Sequence, residues 1–354
     1  MSKHRLLVVA TAIALAGCQG PGLNPSLVIG RPATREVESI SAVNAMDAIL
    51  SQDDLRADVG AMMAAHAAQS PTMFPRLMPP TFDTYGETPH TGIAQDVAQR
   101  FRDLGLTPVL EPFSVDGHDF CNVYADIPAR HKSNDFVILS AHHDTWYTPA
   151  DDNTSGLAIL FAAARLLENS NPNSNIRLLA FDGEELNLLG SQAYVQAHAQ
   201  DHIKLVVNMD CMAFASQAPD SQVSPTGLPL PDTANFLLAV GNPGTKGQID
   251  QLKKLANVLP AALSVQGGAM DVTAPDFAAK DVWRSDQGSF WLKRIPAIFL
   301  TDTGPFRDNR YHTDDDTLDS LDWDFFQRTA LTTVGAVAEF AGCQLPKHPG
   351  KTDK

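Results

Sequence analysis

The chain has 354 residues, of which 44% are hydrophobic and 19% are charged, a composition that can build a sizeable core and excludes a disordered or fibrous protein. Its 41 acidic and 26 basic residues give a formal net charge of −15, which argues against a nucleic-acid-binding protein because phosphate contacts need clustered Lys and Arg. The 4 cysteines are too few for a disulfide scaffold, and the length fits one large α/β domain or two modest domains.

Residues 1–18 have the pattern of an export signal. Lys3 and Arg5 precede an apolar stretch from Leu6 to Ala16, which is too short to span a bilayer but has the length of a signal-peptide core. The sequence Leu15-Ala16-Gly17-Cys18 resembles a bacterial lipoprotein cleavage site, after which Cys18 carries the acyl chains. A plain secretory signal with an incidental Cys is the alternative.

The resemblance to lipoproteins implies a lipid-anchored protein of the cell envelope, held to the membrane through Cys18. Gln19 follows the Cys, which by the same resemblance favours the outer membrane, with the protein facing the periplasm. Residues 19–40 then form a tether. If Cys18 is acylated, Cys121, Cys211 and Cys343 remain, and this odd number allows one disulfide at most.

Beyond the tether, apolar periodicity predicts helices and strands in alternation. Ala42–Ala68 is predicted to form two helices broken around Ser51–Asp53, and Ser70–His90 a Pro-rich loop. Further helices are predicted over Ile93–Leu104, Ser155–Glu168, Leu188–Ala199, from Lys246 onward, and over Trp323–Ala341. Strands are predicted over Thr107–Val115, Asn122–Ile127, Phe136–Ala141, Ile176–Phe181, Ile203–Met209, Phe236–Val240 and Ala297–Leu300.

The alternation predicts one three-layer α/β domain, with a mostly parallel mixed β-sheet and helices on both faces. The first strand contains Pro108 and Pro112, which places it at an edge of the sheet. Two loop-rich segments, Phe214–Pro231 and Gly267–Lys280, are expected near a cleft. Residues 346–354 are predicted to form a polar tail.

Carboxylate and imidazole side chains cluster at or near the ends of the predicted strands, where ligands bind in such sheets. The clusters are His142-His143-Asp144, Asp151-Asp152-Asn153, Asp182-Gly183-Glu184-Glu185, Asp210, and Tyr311-His312. Each cluster alone has a structural explanation, such as a hydrogen-bonded His, a solvated Glu pair or an N-cap Asp. Their joint placement favours a zinc site, because zinc takes His nitrogen and carboxylate oxygen, and two zinc ions need a carboxylate that reaches both.

As a set, these segments resemble the di-zinc aminopeptidases of metallopeptidase family 28. The matching motifs are His142-His143-Asp144, Asp152-Asn153-Thr154-Ser155-Gly156, Gly183-Glu184-Glu185 with Leu188-Leu189-Gly190-Ser191, Asp210, Ser285-Asp286-Gln287-Gly288-Ser289-Phe290 and His312-Thr313. Asn187 stands where the family usually has Gly. The resemblance implies the aminopeptidase-like zinc exopeptidase fold over residues 41–345.

The resemblance also implies two Zn²⁺ ions and a role for each site residue. His142 and Asp210 hold one zinc, Glu185 and His312 hold the other, and Asp152 bridges them. Glu184 takes a proton from the water between the metals and returns it to the leaving amine. Asp144 accepts the other ring N–H of His142, and Tyr311 is a candidate donor to the oxyanion. The implied substrates are peptides with a free N-terminus.

Three other functions remain open at this stage. A glutaminyl cyclase shares the fold but resembles a one-zinc enzyme, whereas the complete ligand set here favours two metals. A metal-dependent carboxypeptidase needs a basic side chain for the substrate carboxylate, and Arg284, Arg307 and Arg310 are available. A non-catalytic ectodomain of this fold would be expected to lack ligands. In the sequence, no ligand position of the pattern is missing.

Overall fold

The computed structural model describes residues 46–69, 90–145, 147–258 and 262–343. The predicted export signal with Cys18, the tether, the Pro-rich loop up to residue 89 and the polar tail lie outside the described residues. Within the described ranges, no helix is both long enough and apolar enough to cross a membrane.

Helices and strands alternate along the described chain as the periodicity predicts. The helices are α1 (Gln52–Gln69), α2 (His90–Asp103), α3 (Thr154–Leu167), α4 (Leu189–Ala197), α5 (Lys246–Val258), α6 (Gln287–Leu292) and α7 (Trp323–Ala341). The strands are β1 (Pro108–Val115), β2 (His118–Ile127), β3 (Asp135–His142), β4 (Asn175–Phe181), β5 (His202–Met209), β6 (Phe236–Gly241), β7 (Ser264–Ala269) and β8 (Ala297–Thr301). Short 3₁₀ turns cover Pro243–Thr245, Lys280–Trp283, Gly304–Phe306 and Leu318–Ser320.

The strands form one mixed sheet of eight strands in the order β1-β2-β4-β3-β5-β8-β6-β7. The central strands β4, β3, β5 and β8 are mutually parallel. At one edge β1 and β2 are antiparallel to their neighbours, and β6 is antiparallel to β8 while β7 runs parallel to β6. The prediction of β1 at an edge is therefore confirmed.

Hydrophobic cores cover both faces of the sheet. Alternate residues of β3 point to opposite sides, so that Val137 and Leu139 pack in one core and Ile138 in the other. Helices α1, α2, α3, α5 and α7 contribute to the larger core, and α4 and α6 contribute to the smaller one. The predicted three-layer arrangement is confirmed.

The structure corrects one prediction and answers one question that the sequence left open. Strand β7 begins before the segment Gly267–Lys280, which is predicted as loop-rich, and ends within it. The sequence does not predict this strand because its Gly and Gln residues hide any apolar alternation. The thiols of Cys121, Cys211 and Cys343 are all free, so the disulfide that the cysteine count allowed is not formed among the described residues.

Candidate metal centre

The predicted ligands come from separate segments that meet at one edge of the sheet. His142 is the last residue of β3, Asp152 lies just before α3, and Glu185 and Asp210 follow the ends of β4 and β5. His312 lies in the loop that follows β8. Because β3, β4, β5 and β8 run parallel, their carboxyl ends bring these side chains into one crevice.

Asp152 lies between two histidines. Its Oδ1 is 3.2 Å from His142 Nε2, and its Oδ2 is 2.9 Å from His312 Nε2. Glu185 Oε1 is 3.1 Å from His312 Nε2, and Asp210 Oδ1 is 3.7 Å from His142 Nε2. The five side chains thus form two groups that share Asp152.

The donor atoms of this centre fit a pair of metal ions. Ligand atoms of Asp152, Glu185 and His312 lie within 4.8 Å of one another, as do those of His142, Glu184 and Asp210. His142 Nε2, Asp152 Oδ1 and Glu185 Oε1 are buried and have no hydrogen-bond partner among the described residues. Buried polar atoms are normally paired, and imidazole nitrogen with carboxylate oxygen is the donor set that zinc prefers.

The charges of the centre favour bound cations. Burial raises the pKa of Glu185 to about 7 and raises that of Glu184 well above its ordinary value. Burial lowers the pKa of the His312 imidazole, but Glu185 and Asp152 outweigh it and the pKa rises to about 10. In the same way the carboxylates of Glu184, Asp144, Asp152 and Asp210 outweigh the burial of His142 and hold the pKa of its imidazole well above the ordinary value. The carboxylates therefore stabilise positive charge at both histidines, where metal ions would supply it.

Asp144 fixes the backbone of the two neighbouring glutamates. Its carboxylate accepts the backbone N–H groups of Glu184 at 3.1 Å and Glu185 at 3.0 Å. Gly183 precedes them with φ of +70°, a left-handed conformation that glycine adopts without steric cost and that makes the expected sharp turn. These contacts set the directions in which the two glutamate side chains leave the turn.

The contact between Asp144 and His142 differs in detail from the sequence-based expectation. The Nδ1 atom of His142 is 3.0 Å from the backbone carbonyl of Asp144 and 3.6 Å from its carboxylate. The carbonyl is the nearer acceptor because the carboxylate is turned toward the two backbone N–H groups. The ring orientation of His142 is still fixed by Asp144, but mainly through its main chain.

Asp316 was not predicted as a site residue, and it supports the loop that carries Asp152. Its carboxylate accepts the backbone N–H groups of Asp151 at 2.9 Å and Asp152 at 3.1 Å. Asp151 in turn accepts the N–H of Met212 at 2.9 Å, so its carboxylate braces the loop rather than pointing to the metal centre. The signal was present in the run Asp314-Asp315-Asp316, which follows His312-Thr313.

Tyr311 and His143 have different surroundings. The ring of Tyr311 stacks on that of His312, with centroids 3.9 Å apart and an angle of 13° between the planes. Burial raises the pKa of the Tyr311 hydroxyl well above its ordinary value, so the hydroxyl remains a proton donor. His143 Nε2 is 3.0 Å from the backbone carbonyl of Cys121 in β2. We assign His143 no part in the metal centre.

A cavity of about 510 Å³ adjoins the centre, and Asp210 and Tyr311 belong to its lining. Its walls are largely apolar and come from Pro225, Leu228, Leu238, Val282, Phe299 and Phe306. Of the two segments expected near a cleft, Phe214–Pro231 contributes to this lining and Gly267–Lys280 does not.

Comparison with proteins of known sequence finds enzymes and an unassigned relative. The chain is 29% identical over 264 residues to the uncharacterized protein YfbL of Escherichia coli, covering 69% of this chain and 77% of YfbL. It is 23% identical over 275 residues to leucine aminopeptidase 1 of Leptosphaeria maculans, covering 73% of this chain and 65% of that protein.

Comparison with solved structures confirms the fold. The Legionella pneumophila LapA aminopeptidase superposes with a TM-score of 0.60 and 20% identity, covering 84% of this chain and 74% of LapA. The glutaminyl cyclase of Porphyromonas gingivalis superposes with a TM-score of 0.55 and 18% identity, covering 82% of this chain and 98% of the cyclase. At these identities the likeness extends to the fold alone.

The sequence profile of peptidase family M28 matches residues 122–337, which include every residue of the metal centre. The match covers more than half of the chain. The chain therefore belongs to peptidase family M28.

Proposed function

We propose that the chain is a di-zinc aminopeptidase, which hydrolyses the N-terminal bond of peptides. The observation that carries the proposal is the position of Asp152 between His142 and His312. A further carboxylate lies beside each histidine, Asp210 beside His142 and Glu185 beside His312. The relative named leucine aminopeptidase 1 and the fold shared with the LapA aminopeptidase support this branch of the family.

In this proposal His142 and Asp210 would hold one zinc ion and Glu185 and His312 would hold the other, with Asp152 shared between the two groups of ligands. When bound, the zinc ions polarise the scissile carbonyl and make a water molecule acidic enough to lose a proton near neutral pH.

Glu184 acts as the general base. Its carboxylate is buried at the centre, with Oε2 4.0 Å from His142 Nε2, and its backbone is held by Asp144. A carboxylate in this position can take the proton of the attacking water and then give it to the leaving amine. The neighbouring Glu185 faces His312 instead, so the two glutamates divide base catalysis and metal binding between them.

Two further interactions with the substrate complete the proposed site. Tyr311 keeps its proton and lines the cavity beside Asp210, where its hydroxyl can donate to the oxyanion that develops on the substrate carbonyl. In this proposal the free α-amine of the substrate is attracted by the carboxylates of the centre, among them Glu184 and Asp210. This attraction accounts for a requirement for a free N-terminus.

The test uses a panel of aminoacyl anilides and their N-acetylated counterparts, with and without a chelator, followed by zinc add-back. We expect hydrolysis of the free-amine substrates only, loss of activity with chelator, and recovery with zinc. Hydrolysis that is insensitive to chelator, or equal for acetylated substrates, would reject the proposal.

Glutaminyl cyclase activity is the second candidate, and the shared fold of the Porphyromonas gingivalis enzyme is the observation that favours it. Release of ammonia from peptides that begin with Gln, without release of a free amino acid, would replace the aminopeptidase proposal. The complete second ligand group of Asp152, Glu185 and His312 supports two metals and so the aminopeptidase.

We also propose that the chain is exported and anchored to the outer membrane through acylated Cys18. The support is the sequence pattern that ends at Leu15-Ala16-Gly17-Cys18. Cell fractionation tests it: a Cys18→Ala variant should leave the membrane fraction, and an unchanged membrane-bound amount would reject the anchor.

A further inference from the structure

A single basic side chain lines the cavity beside the metal centre. Arg284 follows the 3₁₀ turn Lys280–Trp283, and among the described residues it is the one basic member of the lining that includes Asp210 and Tyr311. Arg284 thus lies in the cavity that adjoins the proposed catalytic centre.

The guanidinium of Arg284 is free to bind a ligand. It makes no side-chain hydrogen bond and no ion pair within the described part of the chain, and the side chain is exposed. The other two candidate arginines are already bound: Arg307 donates to Gln222 and Thr303, and Arg310 donates to Asp308. Of the three basic residues that a substrate carboxylate could use, only Arg284 lines the cavity.

The surroundings of Arg284 restrict what it can bind. The nearby Asp281 lines the same cavity but forms no ion pair within 4.0 Å of the guanidinium, and the remaining walls are largely apolar. A planar guanidinium beside apolar walls suits a carboxylate, which it can bind through two parallel N–H···O bonds. A cationic substrate group would be repelled at this point.

We propose that Arg284 binds a carboxylate of the substrate. This inference rests on the proposed peptidase function and adds the class of substrate that the site prefers. The carboxylate can have two sources: the C-terminus of a dipeptide, which lies one residue beyond the scissile bond, or an acidic side chain on the first residue, which enters the cavity.

Two pairs of substrates distinguish these sources in the zinc-loaded full chain. Leucylglycine is compared with leucylglycinamide, and glutamyl anilide with glutaminyl anilide, so that each pair differs only in the carboxylate. We expect a higher kcat/KM for the carboxylate member of one pair. In the Arg284→Met variant this preference should fall at least about tenfold, the usual minimum for a lost charged hydrogen bond.

Two further variants serve as controls. Arg284→Lys keeps the charge but loses the two-pronged geometry, so it should retain part of the preference. Lys280→Met removes a positive charge from the same short turn, where Lys280 is exposed and does not line the cavity, and the preference should stay at its wild-type value.

Each result has a definite meaning. A preference within the leucylglycine pair that depends on Arg284 assigns the C-terminal carboxylate, and one within the glutamyl pair assigns an acidic first residue. If wild-type enzyme cleaves both pairs without preference, or if Arg284→Met slows both members of a pair equally, the inference is wrong and the proposed function stands. If none of the four substrates is cleaved in a chelator-sensitive way, the proposed function fails and the inference fails with it.

Discussion

Glu184 and Glu185 are neighbours in the chain, yet the turn at Gly183 and the two hydrogen bonds to Asp144 send their side chains to different places. Glu185 contacts His312 at 3.1 Å, whereas Glu184 approaches His142 no closer than 4.0 Å. A residue that binds metal and a residue that moves a proton respond differently to the same substitution. The pair therefore offers an internal comparison.

The Glu184→Gln variant should keep two zinc ions and lose most of its turnover. Gln has the shape of Glu but cannot accept the proton of the attacking water, so kcat should fall about 10²–10⁴-fold. Metal content is measured by elemental analysis and kcat with an aminoacyl anilide.

Glu185→Gln is the matched control for this experiment, because it makes the same change one residue later. It should lower the zinc content, since a ligand carboxylate is replaced by an amide. Full turnover in Glu184→Gln would exclude Glu184 as the base, and equal metal loss in both variants would contradict the division of roles.

At the level of secondary structure, the start of α4 is a tightly packed point near the site. The Asn122 side chain of β2 donates to the carbonyl of Gly190 and accepts the N–H of Asp182 after β4. A Cβ atom on Gly190 would come into contact with Asn122 and with the carbonyl of Asp182, and would lie 2.8 Å from the nitrogen of Asp182. Only glycine fits where these three segments meet.

Gly190→Ala should therefore destabilise the fold by about 1–3 kcal/mol, the usual cost of an overpacked position. Gly60→Ala in α1 is the control, because its Cβ would lie at an ordinary 3.8 Å from Leu318 and alanine is the better helix former. The free energy of unfolding is measured in urea. A Gly190→Ala variant as stable as Gly60→Ala would disprove the close approach.

A histidine between two carboxylates links the end of α4 to β1. His198 Nε2 is 2.8 Å from Glu111 Oε1, and its Nδ1 is 2.8 Å from Asp201 Oδ2, while its ring stacks on Tyr194. The hydrogen bond to Glu111 raises the pKa of His198 above its ordinary value, with burial and the nearby Arg177 opposing and Asp201 assisting. The folded state therefore favours the protonated imidazole.

This contact should stabilise the protein at low rather than high pH. A histidine whose pKa is higher in the folded state contributes its full stability below the unfolded pKa of about 6.5, and the contribution is lost as the pH rises through the folded pKa. The difference in Tm between wild type and His198→Gln should be larger at about pH 6 than at about pH 9. His131→Gln, which changes an exposed histidine between β2 and β3, should show no such trend.

Across the whole molecule, the sequence predicted those features that repeat along many residues. The bounds of α7, Trp323–Ala341, are as predicted, and the buried strands β3, β4 and β5 agree within one residue at each end. The three strands are short apolar runs that are mostly buried, and α7 repeats buried apolar positions along its length, so their pattern is strong. Strand β7 was missed because it is an edge strand that pairs only with β6 and packs few apolar side chains.

For the site as well, the features set by the sheet topology were predictable and those set by single contacts were not. Strand ends in a parallel sheet converge, so the sequence could place His142, Glu185 and Asp210 in one crevice before any coordinates were known. The direction of a single carboxylate was not predictable, because it depends on contacts between distant segments. Asp144 turns to the backbone of the glutamate pair, and Asp316 holds the Asp152 loop from 164 residues away.

The candidate metal centre also joins the sheet edge to the loops around it, so the proposed zinc ions should contribute to the stability of the entire domain. The five predicted ligands belong to five segments between β3 and the loop that follows β8, and without cations their clustered carboxylates repel one another. A ligand that binds only the folded state adds about 4 kcal/mol at a thousandfold excess over its Kd.

Chelation should therefore lower Tm, and zinc should restore it. Asp152→Ala, which removes the shared ligand, should show a low Tm with or without zinc, whereas Glu184→Gln should respond to zinc as the wild type does. A zinc-dependent rise in Tm that persists undiminished in Asp152→Ala would show that the stabilising ion binds elsewhere.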